Sequence, residues 1–241
     1  MVRPELLAPA GSLLKLKIAF YFGADAVYLG GKSFSLRTFA DNFTEDELKE
    51  GIFYAHERGK KVYVCANIFA KNFDFASLGP YFGKLEEWGA DGVLISDPGV
   101  FRFCRKIAPN LPVHISTQAN TLNAETVAFW REQGASRIVL ARELSLKEIS
   151  EIHAANPDTE LEAFVHGAMC ISYSGRCYLS DYLDGRPSNR GECVQACRWK
   201  YRIQSREGER GEWYDLEEDG RGTYVMNSKD LNMSARLNEL A

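Results

Sequence analysis

The chain has 241 residues, 45% of them apolar, with 29 Lys and Arg against 33 Asp and Glu and a net charge of −4. That length allows one large domain or two small ones, and the apolar share suffices for a substantial core. A pI of about 5.7 speaks against a general polyanion binder and leaves room only for a local basic patch. The opening "MVRPELLAPAGSLLKLKIAF" has no long apolar h-region and no small-residue cleavage site, and no apolar run approaches the ~18 residues of a membrane span. The expectation is a cytoplasmic protein with no membrane partner. Thiols there stay reduced, so clustered cysteines read as metal-binding or catalytic before they read as disulfides.

In chain order, strands are expected at 5–8, 26–29, 61–66, 92–96, 113–116, 137–141, 161–165 and 223–226, and helices at 12–22, 44–58, 77–88, 99–107, 123–133 and 146–155. A repeat carries this reading. "YFGADAVYLGG", "EWGADGVLISD" and "EQGASRIVLAR" each end an amphipathic helix with a glycine (Gly23, Gly89, Gly134) and pass into a short apolar strand. "ERGKKVYVCANIF" is a looser copy at Gly59. Glycine suits the left-handed position past a helix C-terminus, and short, nearly all-apolar strands suit a parallel sheet buried on both faces. Ser12 is placed to cap the first helix. Thr44 with Glu47 and Ser145 with Glu148 have capping-box spacing, with Phe43 and Leu48 set as a hydrophobic staple.

This alternation means a (β/α)8 barrel or a doubly wound sheet. Eight strands, with no Gly-rich dinucleotide fingerprint after the first, favour a TIM-like (β/α)8 barrel as a single domain over 1–241. Residues 170–222 break the rhythm as a Cys-rich insertion between strands seven and eight, and "WKYRIQSREGERGEWYDL" within it reads as a hairpin. Only a stub for the last helix follows strand eight.

Barrel active sites lie at the C-terminal ends of the strands. Polar residues expected there are Arg37 in the loop after strand two, Asn67 after three, Asp97 after four, Thr117, Gln118 and Asn120 after five, Arg142 and Glu143 after six, His166 after seven, and Asn227, Lys229 and Asp230 after eight. Each also has a bland reading as a helix cap or mouth filler. Arg142, directly after "IVLA", needs a carboxylate or an anionic ligand, and with Arg37 it could clamp a dicarboxylate or a phosphate. His166 reads equally as a general base, a polar contact to a metal group, or a neutral strand-end histidine.

Cys65, in a strand, and Cys104, on a helix stripe, read as small core residues. Cys170, Cys177, Cys193 and Cys197 fall among Gly and polar residues, where packing explains them poorly. A C-x6-C pair is too open for the usual zinc hook, whereas iron–sulfur clusters accept irregular thiolate spacing. The spacing leans to iron–sulfur and keeps zinc as the alternative.

"EAFVHGAMCISYSGRCYLS" (162–180) resembles the signature of the collagenase-like peptidases, peptidase family U32, through Glu162, Phe164, Gly167, Cys170, Gly175, Cys177 and Ser180. "LLAPAG", "AVYLGG", "SLRTFADNF", "HISTQANTLN", "VLARELS", "GECVQACRWKY" and "NSKDL" resemble family segments in the same order. The family name implies proteolysis, yet the chain shows no placeable Ser-His-Asp set and no HExxH helix. Better-understood relatives are oxygen-independent hydroxylases of tRNA uridine, ribosomal-RNA cytidine and the ubiquinone ring. The resemblance implies a 4Fe-4S cluster on Cys170, Cys177, Cys193 and Cys197, with prephenate as oxygen donor. It also implies a further C-terminal region, absent here. Asn232 stands where some relatives place a ligand cysteine after "SKDL", which points away from the ubiquinone branch.

The resulting expectation is an iron–sulfur protein serving hydroxylation of an RNA base, foremost tRNA uridine. His166, Glu143 and Gln118 would be catalytic. Arg37, Arg142, Asn67, Thr117, Asn227 and Lys229 would bind substrate and a prephenate-like dicarboxylate. RNA would meet Arg186, Arg190, Arg198, Trp199, Lys200, Tyr201 and Arg202, where basic and aromatic residues interleave; the bland alternative is a solvated loop shielding the cluster. The other functional readings are a peptidase and a non-catalytic, cluster-bearing partner subunit, and an oligomeric or heteromeric partner is allowed for.

Overall fold

A computed structural model describes residues 3–36, 42–199, 204–206, 208, 211–215 and 230–240. Seven strands, β1 (Leu7–Pro9), β2 (Ala26–Gly30), β3 (Lys61–Cys65), β4 (Gly92–Ile95), β5 (Val113–Ile115), β6 (Arg137–Val139) and β7 (Glu160–Glu162), form one sheet in sequence order. Every neighbouring pair is parallel. Helices α1 (Leu13–Tyr21), α2 (Glu45–His56), α3 (Phe75–Glu87), α4 (Pro98–Ile107), α5 (Ala124–Glu132) and α6 (Leu146–Ala155) follow the first six strands in turn.

The punctuation works as its chemistry requires. The Ser12 hydroxyl accepts from the Lys15 N–H. Thr44 and Ser145 close reciprocal capping boxes with Glu47 and Glu148, each satisfying two otherwise orphaned helix donors. Phe43 and Leu48 are both buried in the core below α2. Gly23, Gly59, Gly89 and Gly134 have φ of 98°, 62°, 75° and 93°, a conformation in which a Cβ is strained, so each turns the chain from helix to strand without that cost.

Alternate strand residues build two interiors. Val27, Leu29, Val62, Val64, Val93, Ile95, Val113, Ile115, Ile138 and Leu140 pack against the helices, and Cys104 is buried with them. Leu7, Ala26, Tyr28, Tyr63, Cys65, Leu94, Val139 and Phe164 fill the concave side. Both strand and helix cysteines are thus core residues, and burial pushes the Cys104 thiol up to about 12.

The concave side is closed at the N-terminal end of the strands by an ionic floor. Arg137 on β6 donates to Glu5, just before β1, at 2.7 Å and to Glu160 at 2.8 and 2.9 Å. The Tyr63 hydroxyl on β3 donates to the same Glu5 at 2.9 Å. Side chains from the first, third and sixth strands can meet only if the sheet curls strongly, so the architecture is a curled, seven-stranded parallel half-barrel. The eighth strand expected at 223–226 lies outside the described residues.

The excursion carries more structure than its loop-rich sequence suggests. It contains α7 (Leu179–Asp184) and, as read from sequence, an antiparallel hairpin of β9 (Gln204–Arg206) and β10 (Trp213–Asp215). Strand β8 (His166–Gly167) pairs antiparallel with β11 (Leu231–Asn232). Strand β7 ends at Glu162 rather than at 165, because the chain leaves the sheet to enter this pairing. Among the described residues no helix is long and apolar enough to cross a membrane.

Candidate cofactor cage and barrel mouth

At the C-terminal ends of the strands, short loops bring polar side chains together. The amide of Asn67, after β3, donates to the Ser116 hydroxyl at 3.2 Å and to the Gln118 carbonyl oxygen at 3.3 Å. Ser116 itself donates to that Gln118 oxygen. Asn67 accepts from the Leu36 N–H at 3.3 Å, and Thr117 donates to the Leu140 carbonyl at 3.2 Å. Asp97 caps α4 through the Val100 N–H at 2.8 Å, so for this residue the bland reading applies.

The cysteine excursion folds back over this mouth and is bolted to it. The Ser174 N–H donates to Glu143 at 2.6 Å, and the Ser174 hydroxyl to Asn120 at 2.7 Å. Arg176 donates to the Gln118 backbone carbonyl at 2.7 Å. Arg190 makes a two-pronged ion pair with Asp74, before α3, at 2.9 and 3.0 Å; these bonds, with the backbone bond from Lys71, hold the Asp74 carboxyl below its usual range against the effect of burial. Asn120, Ser174 and Gln195 all carry left-handed backbone, with φ of 62°, 49° and 56°. Strained non-glycine backbone of this kind persists where surrounding contacts over-determine it.

These anchors bring all four excursion cysteines to one place. Cys170, Cys177, Cys193 and Cys197 line a single cavity of about 170 Å3, together with Leu36, Gly175 and Ser188. All four are free thiols. Burial raises the pKa of Cys197, and Cys170, Cys193 and Cys177 raise it further. Four thiolates so close need a positively charged partner to coexist. Backbone donors are in place for two of them: the Leu179 N–H to the Cys177 sulfur at 3.3 Å and the Gln195 N–H to the Cys193 sulfur at 3.4 Å. Among the described residues no group of three or more Cys, His, Asp or Glu side chains converges closely enough to hold a metal ion. An all-sulfur donor set is compatible with either a four-thiolate zinc site or an iron–sulfur cluster.

Arg142 stands at the rim of this cage. Its Nη2 lies 3.3 Å from where a Cβ on Gly175 would be, and its guanidinium is 5.6 Å from the Phe164 ring centroid. Its Nε is buried without a hydrogen-bond partner, the condition expected of a cation aimed at an anionic ligand. Asn67, Thr117, Gln118 and Glu143 are gathered at the same mouth. His166 is not: it is exposed on β8 and does not line the cage. Arg37, Asn227 and Lys229 lie outside the described residues, as do Lys200, Tyr201 and Arg202.

The expected basic stretch is partly committed elsewhere. Arg190 is engaged by Asp74 and Arg198 by Asp230, at 3.0 Å. Trp199, Tyr173, Tyr178 and Tyr182 remain exposed around the cage. Sequence reasoning missed Ser116, Ser174 and Asn189, which orient the mouth and the cysteines. For Ser116 and Ser174 the only signal was polarity inside the family-like segments, and Asn189 lies between two such segments.

Residues 11–241 match the profile of peptidase family U32. The chain belongs to that family. Among curated U32-like relatives, it is 47% identical over 231 residues to tRNA hydroxylation protein P1 of Bacillus subtilis, covering 96% of this chain and 54% of that protein. It is 40% identical to tRNA hydroxylation protein P of Escherichia coli, covering 100% of this chain and 61% of that protein. The chain thus spans a little over half the length of these relatives. A solved U32 peptidase superposes with a TM-score of 0.58 at 18% identity, covering 70% of this chain and 71% of the other. That likeness supports the half-barrel fold alone.

Proposed function

We propose that this U32 chain binds a 4Fe-4S cluster on Cys170, Cys177, Cys193 and Cys197 and serves oxygen-independent hydroxylation of an RNA base, foremost a tRNA uridine, with a prephenate-like dicarboxylate as co-substrate. The observation that carries the reading is the convergence of four thiols on one cavity in a chain similar to tRNA hydroxylation proteins. When bound, such a cluster supplies electron transfer and a Lewis-acidic iron at the barrel mouth. The chain's own residues then set the site. Arg142, with its unpartnered Nε, holds a carboxylate at the cage rim, and Arg37 is proposed as the second clamp. Gln118, fixed by Asn67 and Ser116, presents an amide to the base, and Asn67 and Thr117 shape the floor. Glu143 holds the excursion in place through Ser174 and acts as a proton acceptor only if that contact opens. His166, Asn227 and Lys229 are assigned to the substrate surface. Trp199 and the exposed tyrosines offer stacking faces for unpaired bases.

A thiol peptidase would need a histidine within hydrogen-bond reach of its cysteine, and none of the chain's histidines lines the cage. The test has two arms. Protein purified without air should carry about four irons with matching sulfide; stoichiometric zinc without sulfide would remove the cluster. RNA from cells lacking the full-length protein should miss a hydroxyl that wild type restores and that Cys170→Ala or Arg142→Lys does not, because lysine replaces a two-pronged fork by a point charge. Unchanged tRNA and ribosomal RNA, with reproducible cleavage of a defined protein, would return the peptidase reading to first place.

A further inference from the structure

The loop that leaves β3 forms one rim of the mouth. It starts at Asn67, and two residues on Phe69 is pinned at both ends. Its N–H donates to the Asn189 carbonyl at 2.9 Å, and its own carbonyl accepts from Arg190 at 2.9 Å. The same Arg190 lies over the Phe73 ring, 5.3 Å from the centroid, while it is paired with Asp74. Arg176, from the excursion, lies over the Phe69 ring at 5.5 Å. Two phenylalanines of one short loop are thus each backed by an arginine.

Two features go beyond a structural staple. Phe73 remains 67% exposed, so its ring is seated on a guanidinium and still open to solvent. Arg176 is exposed, and its bond to the Gln118 backbone carbonyl uses Nε alone, which leaves both Nη groups for another partner. Lys71, between the two phenylalanines in sequence, is exposed as well. The acids of this rim, Asp74 and Glu192, both face Arg190. Asp74 faces Lys71 too, but its oxygens already accept from Arg190 and from the Lys71 N–H. An open ring flanked by under-used cations is the arrangement on which an unpaired base stacks while its phosphates are held.

We infer that residues 69–73 and Arg176 form a strand-binding rim, on which a single-stranded segment of RNA lies with one base on Phe73 and its flanking phosphates on Lys71 and Arg176. This rests on the reading of the chain as RNA-directed. It moves the strand away from 186–202, where Arg190 and Arg198 are engaged by Asp74 and Asp230. Gly175 and Cys177, on either side of Arg176, line the cage, so a strand held on the rim passes the cage entrance. The rim also selects: a duplex keeps its bases stacked inside and offers Phe73 no free face.

The test uses the full-length protein and fluorescence anisotropy. The probes are labelled dodecauridylate, an RNA duplex of the same length, and tRNA from cells lacking the protein. Dodecauridylate should bind wild type more tightly than the duplex does. Phe73→Ala should weaken dodecauridylate and tRNA by about fivefold or more, and Phe73→Tyr, which keeps the ring, by less than about twofold. Lys71→Gln and Arg176→Gln should each lower the slope of log Kd against log salt by about 0.7. Phe53→Ala removes a similarly exposed ring on α2 and should bind as wild type does. Phe73→Ala changes an exposed side chain, so it should melt with wild type, which separates lost binding from lost folding. RNA binding that Phe73→Ala leaves unchanged, or a duplex bound as tightly as dodecauridylate, would overturn the rim and leave the RNA reading standing. No binding of dodecauridylate or tRNA up to about 100 μM would overturn both together.

Discussion

The side-chain amide of Asn189 pairs with the backbone of Cys177 on both sides: its oxygen accepts from the Cys177 N–H at 3.1 Å, and its nitrogen donates to the Cys177 carbonyl at 2.9 Å. Ser188 donates to the same carbonyl. Cys177 is therefore held as a strand residue would be, although no strand is there. Asn189→Ala should weaken cofactor retention by about 10-fold or more, as loss of outer-shell support commonly does. The measurement is release of iron to a chelator under anaerobic conditions, with circular dichroism as the control for folding. Wild-type retention in a folded Asn189→Ala protein would exclude this role.

Glu143 and Ser174 form the latch between the mouth and the excursion. Glu143→Ala leaves the buried Ser174 N–H without its partner and should lower the local opening free energy of the 170–177 segment by about 1–3 kcal/mol. Glu143→Gln keeps an acceptor and should lose less. Amide hydrogen exchange of this segment, compared with that of β2 to β6, reads the difference directly. Equal exchange in both variants and wild type would show that the latch carries no strain.

Gly92 is set by a neighbour and not by its own backbone. A Cβ there would meet the His114 ring at 2.8–3.2 Å, and His114 is itself buried against Tyr63, with ring centroids 4.6 Å apart. Gly92→Ala should destabilise the fold by about 1–3 kcal/mol through overpacking. The double variant Gly92→Ala with His114→Ala should be less destabilised than the sum of its single changes. Additive losses in chemical denaturation would mean that the ring moves aside freely.

Glu162 gives the ionic floor a pH signature. Burial raises its pKa from 4.5 to about 7, against the opposing pull of Arg137, 3.7 Å away. Between those values the folded protein holds a proton that the unfolded chain has released. This group's contribution to stability is therefore fully present below about 4.5 and is lost as pH rises to about 7. His114, pushed down to about 3 by burial with Arg137 adding to it, acts oppositely: its contribution is lost as pH falls from 6.5 towards 3. Comparison with Glu162→Gln isolates the glutamate. Wild type should lose stability relative to that variant between about pH 4.5 and 7, with no further change above. Parallel stability curves across this range would show that Glu162 is ionised in the folded state.

Much of the scaffold was legible because its signals are local. Four glycines past helix ends, two capping boxes and the apolar strand runs place strands two to six and all six helices within a few residues. The four cysteines were legible as a set, because no core-packing pattern could hold them. What could not be read depends on curvature. Arg137 opens the run "RIVLAR" and was absorbed into a strand, while Arg142 at its far end drew attention as the costly cation. Once the sheet curls, Arg137 is the deeply buried one, satisfied by Glu5 and Glu160 from distant parts of the chain. Asn189 and Ser174 escaped for a related reason: a polar residue in a loop acquires a role only when the loop closes on something. His166, directly after the strand expected at 161–165, reads from sequence as near the chemistry, but β7 ends at Glu162 and the chain turns away into β8 before reaching the cage.

The Arg190–Asp74 pair joins residues 116 positions apart, and it has a consequence for the order of events during synthesis. Asp74 is presented by the short turn at Asn72–Asp74 that leads into α3, early in the chain, whereas Cys193 and Cys197 emerge after Arg190. The dock for the excursion is therefore finished before the last two thiols exist, and Arg190 reaches it just ahead of them. The order of synthesis is half-barrel wall, then clasp, then the last two thiols. A chain stalled before residue 193 would expose the half-barrel wall with only Cys170 and Cys177 of the four excursion thiols.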